Sequence, residues 1–166
     1  MRSDYIDKDI VGHVLYALTA QNRLVCKVAL ETGLRVGDIV ALKTADLKKK
    51  SFILIEQKTK KKRTIRLRES LRNELLRQAG TIFVFEHRTD PTKHRTRQAV
   101  YNDIKRAAKL FRIKENISPH SLRKLYAVDL YKKTGSLSQV MDALNHDNDA
   151  VTMIYALADM LTKKRG

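Results

Sequence analysis

The sequence predicts an α+β fold, mainly helical, in which a small three-stranded sheet lies against a helical core. Three observations predict it. Apolar residues recur at helical spacing along most of the chain, and the period shortens to that of strands after the charged run Lys48-Lys49-Lys50. A length of 166 residues with 43% hydrophobic content suffices for one core, which sets a single domain over residues 1–166.

Residues 7–19 place Ile10, Val11, Val14, Leu15 and Leu18 at helical spacing behind a capping Asp7, and Leu24 to Leu34 repeats the pattern up to Gly33. A short helix, Val36 to Leu42, follows Arg35. Beyond the lysine run, Ser51 to Glu56, Thr64 to Leu67 and Ile82 to Phe85 read as three strands, with Leu71, Leu75 and Leu76 marking a helix between the second and third. Residues 86–97 are polar, basic and broken by Pro91, a loop long enough to close on a ligand. Helices at about 98–111, 119–133, 136–144 and 149–160 follow, before the basic tail Lys163-Lys164-Arg165.

Charge narrows the partner. Thirty-four Lys and Arg against 18 Asp and Glu give a formal +16, which a phosphate-rich polymer explains most simply. A membrane-surface protein would carry Trp or Phe on a basic amphipathic helix, whereas this chain has no Trp and spreads its basic residues over loops and strands. No segment approaches the ~20 apolar residues of a membrane span, and residues 1–7 lack the apolar run of a signal peptide. The expected setting is cytoplasmic, with nucleoid association through DNA and no membrane partner. The single cysteine, Cys26, excludes an intramolecular disulfide and sits in an apolar stretch, as a buried thiol would.

Three segments carry chemistry. In Thr32-Gly33-Leu34-Arg35 a glycine stop ends one helix and an arginine opens the next, so its planar fork can face a phosphate or lie solvated at the turn. In Ser118-Pro119-His120-Ser121-Leu122-Arg123 the serine caps and the proline fits the first turn, which puts His120 and Arg123 on one face near the positive helix end. In the third, Leu144-Asn145-His146 precedes Tyr155 by nine residues from the histidine, and Tyr155 borders an apolar stripe of Val151, Ile154, Ala158 and Leu161.

The order Arg35, His120-x-x-Arg123, Leu144-Asn145-His146 and Tyr155 resembles the signature of the tyrosine recombinase, or phage integrase, family. The resemblance runs from about residue 10 to 160. It includes the turn from Glu56 to Leu67, which looks like the family's β-hairpin with Lys58 at its catalytic lysine. The chain departs from the family pattern at Asn145, where Gly is usual, and at Arg66, where Pro is common. Asn is the second choice for a left-handed helix terminus, so the geometry can survive.

The resemblance implies a catalytic domain with an antiparallel sheet, and a family N-terminal DNA-clamping domain that is absent from this chain. It implies site-specific cleavage and rejoining of double-stranded DNA through a 3′-phosphotyrosine at Tyr155, without metal, ATP or any other cofactor and with no small-molecule substrate. Arg35 and Arg123 would neutralise the non-bridging oxygens, His120 and His146 would donate hydrogen bonds, and His120 could accept the phenol proton. Lys58 would protonate the departing 5′-oxygen. Lys43, Lys60, Arg95 and Arg97 are the candidate DNA-backbone contacts. A monomer without DNA and a tetramer on paired sites are expected, the tail beyond Tyr155 being only 11 residues long.

Three rivals compete. Glu56-Gln57-Lys58 with Asp38 or Asp46 could hold Mg²⁺ in a metal-dependent nuclease. A type IB topoisomerase makes the same covalent link but only relaxes supercoils. A DNA-binding module without catalysis would need only the basic loops.

Overall fold

The computed structural model of the chain describes residues 6–145 and Leu157. Asp7 starts the first helix, accepting from the Lys8 amide at 2.7 Å, and α1 runs Lys8–Ala17. α2 (Ala20–Thr32) ends at Gly33, which takes φ 66°, and Arg35 stands immediately before α3 (Val36–Val40). A one-turn helix, α4 (Thr44–Leu47), interrupts what reads in sequence as a connection, and Leu47 anchors it in the core.

β1 (Phe52–Ile55) and β2 (Lys62–Ile65) form an antiparallel hairpin in the register Phe52↔Ile65 to Ile55↔Lys62. Phe52 and Ile65 face the core, while Ile53 and Ile55 face outward, the period of two expected of a sheet packed on one side. β2 begins at Lys62, two residues before the expected Thr64, so the turn that carries Lys58 is correspondingly tighter.

The expected third strand is not formed: the sheet has two strands among the described residues. Residues 82–85 satisfy their backbone elsewhere. The Val84 amide donates to Leu42 O and the Thr44 amide to Ile82 O, while the Arg95 amide donates to Phe85 O, leaving Lys43 and Phe83 as an isolated bridge. The β-rich composition there reflects burial, since Val84 and Phe85 are fully enclosed, rather than a ladder.

The remaining helices are α5 (Glu69–Gln78), α6 (Arg97–Leu110), α7 (Pro119–Thr134) and α8 (Leu137–Ala143). One core joins buried residues from α1 to the first half of α7; a smaller cluster unites Ala127 and Val128 of α7 with Val140, Leu144 and Leu157. The helix expected at 149–160, apart from Leu157, and the basic tail lie outside the described residues. Cys26 is buried as its neighbours suggest, and desolvation pushes its thiol up to about 12. No helix among the described residues is long and apolar enough to cross a membrane.

Gly33 is a position where only glycine fits. A β-carbon there would overlap the Tyr126 ring of α7, and φ 66° is itself unfavourable for an L side chain. Gly33→Ala is therefore expected to destabilise the domain by about 2–4 kcal/mol, combining left-handed strain with overpacking. Urea unfolding checks it; a midpoint equal to the wild type's would show that the turn relaxes freely.

Candidate active site

Arg35 caps α3 in extended backbone, because the left-handed stop at Gly33 turns the chain sharply between two helices. Its side chain is 13% exposed, and Nη1 donates to Glu56 Oε2 at 2.9 Å. His120 and Arg123 lie in the first turns of α7. Ser118 and Ser121 brace that helix end: the Ser121 amide donates to Ser118 O at 2.9 Å and the Ser118 amide donates to Ser121 Oγ at 3.2 Å. His120 is exposed, whereas Arg123 is 1% exposed and donates through Nη2 to Leu144 O at 3.3 Å. The Lys58 side chain is exposed in the turn between β1 and β2.

These parts, drawn from three separated stretches of sequence, converge. Arg35, Lys58, His120 and Arg123 line a single open cleft of about 380 Å³, together with Asp38, Gln57, Arg97 and the backbone at Gly37. Three walls of the cleft bear fixed cations, a setting for one phosphodiester rather than for an apolar ligand. Gly37 keeps the floor low: a β-carbon there would lie 3.1 Å from Arg97 Cδ and 3.5 Å from Gln57 Oε1. Two of the expected residues, His146 and Tyr155, lie outside the described residues. Asn145, immediately before His146, takes φ 61°, the left-handed conformation expected where the family carries glycine.

Residues 6–161 match the sequence profile of the phage integrase family. The chain belongs to the phage integrase family. Among relatives, a tyrosine recombinase of Thermosipho africanus is 30% identical over 162 residues, covering 92% of this chain and 56% of the relative. In fold, a crystal structure of XerA recombinase superposes with a TM-score of 0.73 at 22% identity, covering all of this chain and 65% of that one. A lambda integrase tetramer bound to a Holliday junction gives 0.73 at 23% identity, covering 92% of this chain and 48% of the neighbour's. The chain thus spans 48% to 65% of the length of these three proteins.

Within this family fold, the four candidate DNA contacts occupy different settings. Lys43 and Lys60 are exposed, and Lys60 takes φ 58° in the hairpin turn. Arg97 opens α6 at the cleft edge. Arg95 is turned inward: its guanidinium donates to Gln21 Oε1 and Asn22 Oδ1, and desolvation lowers its pKa, so it ties the loop that leads into α6 and Arg97 to α2.

Two carboxylates that the nuclease reading would use are held by protein donors. Glu56, with no exposed surface, accepts from Arg35 and from Thr59 Oγ1 at 2.8 Å. Asp38 Oδ1 accepts from the Gln57 amide at 2.8 Å and so ties the Lys58 turn to α3. Sequence reasoning missed Glu56 as the partner of Arg35, although a signal existed: Glu56 continues the inward parity of Phe52 and Leu54, and a buried carboxylate needs a cation.

Desolvation, reinforced by Glu56 and opposed by the Gln57 amide and by Arg35 and Arg123, raises the pKa of Asp38. A folded pKa above the unfolded value means that Asp38 contributes stability fully present below about pH 3.8 and lost as pH rises through the raised value. Asp38→Asn keeps an acceptor for the Gln57 amide but removes the buried charge. Its melting temperature relative to wild type is expected to climb between pH 4 and neutrality; a fall over that interval would mean that attraction to the arginines outweighs desolvation.

Proposed function

We propose that this chain cleaves and rejoins double-stranded DNA at specific sites through a 3′-phosphotyrosine at Tyr155, without metal or nucleotide. The observation that carries the reading is the shared cleft of Arg35, Lys58, His120 and Arg123. Two permanently charged forks fit the non-bridging oxygens of a pentacovalent phosphorus, so they supply the charge that a metal would otherwise bring. Tyr155 attacks phosphorus, its proton passes to His120 or to water, and Lys58 protonates the leaving 5′-oxygen. His146 donates a further hydrogen bond. The bond energy stays in the protein–DNA link, so a 5′-hydroxyl from another strand reverses the step.

Leu157, two residues beyond Tyr155 in sequence, is buried against α7, the helix that bears His120 and Arg123, and against α8. Lys43, Lys60 and Arg97 contact the DNA backbone, and Arg95 positions the loop that leads into Arg97. The assembly states are a monomer without DNA and a tetramer on paired sites, a reading supported by the lambda integrase tetramer bound to a Holliday junction.

The test is a library of nicked suicide duplexes of random sequence, incubated with the chain with and without EDTA. Sequencing of SDS-resistant adducts should recover a site, and peptide mapping should place phosphate on Tyr155 in both arms. Cleavage confined to the EDTA-free arm would assign a metal-dependent nuclease. Binding with no adduct at any sequence would leave a DNA-binding module. Relaxation of supercoiled plasmid without strand exchange would indicate the topoisomerase outcome.

A further inference from the structure

Glu56 is among the most completely enclosed charged groups in the described structure, and the reaction outlined above gives it no role. It follows β1 directly, at the point where the hairpin turn begins. The Glu56 amide donates to Lys61 O at 3.0 Å and the Lys60 amide donates to Glu56 O at 2.9 Å, so its backbone closes the turn that presents Lys58. Its side chain reaches the other way. Oε2 accepts from Arg35 Nη1 at 2.9 Å and from Thr59 Oγ1, and Oε1 lies 3.7 Å from Arg63 Nη1. Arg63 in turn donates to the carbonyl of Thr32, three residues before Arg35.

Charge explains why this residue must be anionic. Arg35, Arg63 and Arg123 are three largely buried cations in or beside the cleft, opposed by Glu56 and Asp38. Glu56 and Asp38 offset part of this buried positive charge, and the cleft, with Lys58 and Arg97 also lining it, stays cationic toward a phosphodiester. Without Glu56, Arg35 and Arg63 would lose the carboxylate they share and face each other across a low-dielectric space.

We infer that Glu56 is a positioning residue, which holds Arg35 in its phosphate-receiving pose before DNA arrives and, through Thr59 and its backbone, fixes the Lys58 turn against it. This rests on the phosphotyrosine reading for its consequence in catalysis, but not for its effect on Arg35. Fixing donors in advance removes their reorganisation from the reaction barrier, so losing Glu56 should slow cleavage far more than it weakens binding.

The experiment compares the full chain with Glu56→Gln, Glu56→Asp and, as a distant ion-pair control, Glu74→Gln, which loses only the surface pair with Lys27. Side-chain ¹⁵N spectra should show a dispersed Arg35 Nε–H signal in wild type and in Glu74→Gln, and its collapse toward the exposed arginines in Glu56→Gln. Single-turnover cleavage of the selected suicide duplex should fall about 10²-fold in Glu56→Gln, with DNA affinity unchanged or tighter. Glu56→Asp, which restores the charge one methylene short, should recover part of the rate; it also serves if Glu56→Gln fails to fold. An unshifted Arg35 signal in the folded variants, or cleavage at the wild-type rate, overturns the inference. If wild type forms no adduct, the phosphotyrosine reading fails, and the Arg35 spectra alone decide whether Glu56 positions it.

Discussion

Replacing Tyr155 by phenylalanine is expected to abolish the SDS-resistant protein–DNA adduct, a loss of more than about 10³-fold, while DNA binding changes little. The substitution removes one oxygen and retains the ring, so the packing that anchors Leu157 between α7 and α8 has no reason to change. None of the residues that line the cleft offers an equivalent hydroxyl nucleophile. Lys58, Arg35 and Arg123 are cationic donors, and attack by His120 would create a phosphoramidate with a different acid and base stability. The check is a gel assay on the selected suicide duplex, with a filter-binding measurement on the same preparation. A persistent acid-stable adduct in Tyr155→Phe would move the nucleophile to another tyrosine. The exposed Tyr101, on the wall of the adjoining cleft with Arg97 and His120, would be the first to examine. Binding that collapsed together with the adduct would point instead to misfolding of the variant.

Much of this site was legible in the sequence because its parts are local signals. Glycine before Arg35 marks a left-handed helix stop, and Ser118-Pro119 marks a helix start; both formed as read. Asn145 was legible for the same reason, since few residues other than Gly and Asn tolerate φ 61°. The strands were harder. Ile82 to Phe85 carries the composition of a strand, but strand formation depends on a partner, and here the partners are the turn after α3 and the loop at His94 to Arg95. Non-local pairing also hid the ion pairs: Arg35 and Glu56 are 21 residues apart, and only the fold of the hairpin over α3 brings them within 2.9 Å. Arg95 illustrates the same limit in reverse. A basic loop suggests phosphate, while the side chain is committed to Gln21 and Asn22 more than 70 residues earlier.

Arg123→Lys is expected to lower single-turnover cleavage by about 10²–10³-fold despite keeping the charge. Arg123 is 1% exposed, so its replacement cannot be compensated by a side chain swinging in from solvent. Its guanidinium serves two directions at once: one edge lines the cleft, and Nη2 reaches back to the Leu144 carbonyl, at the end of α8 and one residue before left-handed Asn145. A planar fork can span both, whereas an ammonium is a single point of donation on a flexible stem. If lysine turns to the phosphate, the Leu144 carbonyl loses a buried donor, at a cost of about 1–3 kcal/mol. If it stays with the carbonyl, the phosphate loses its fork. Either choice damages the site, and thermal melting distinguishes them: a lowered melting temperature marks the first, an unchanged one the second. A lysine variant that cleaves within about tenfold of wild type would show that Arg123 acts as a bulk charge and that the forked geometry carries little of the catalysis.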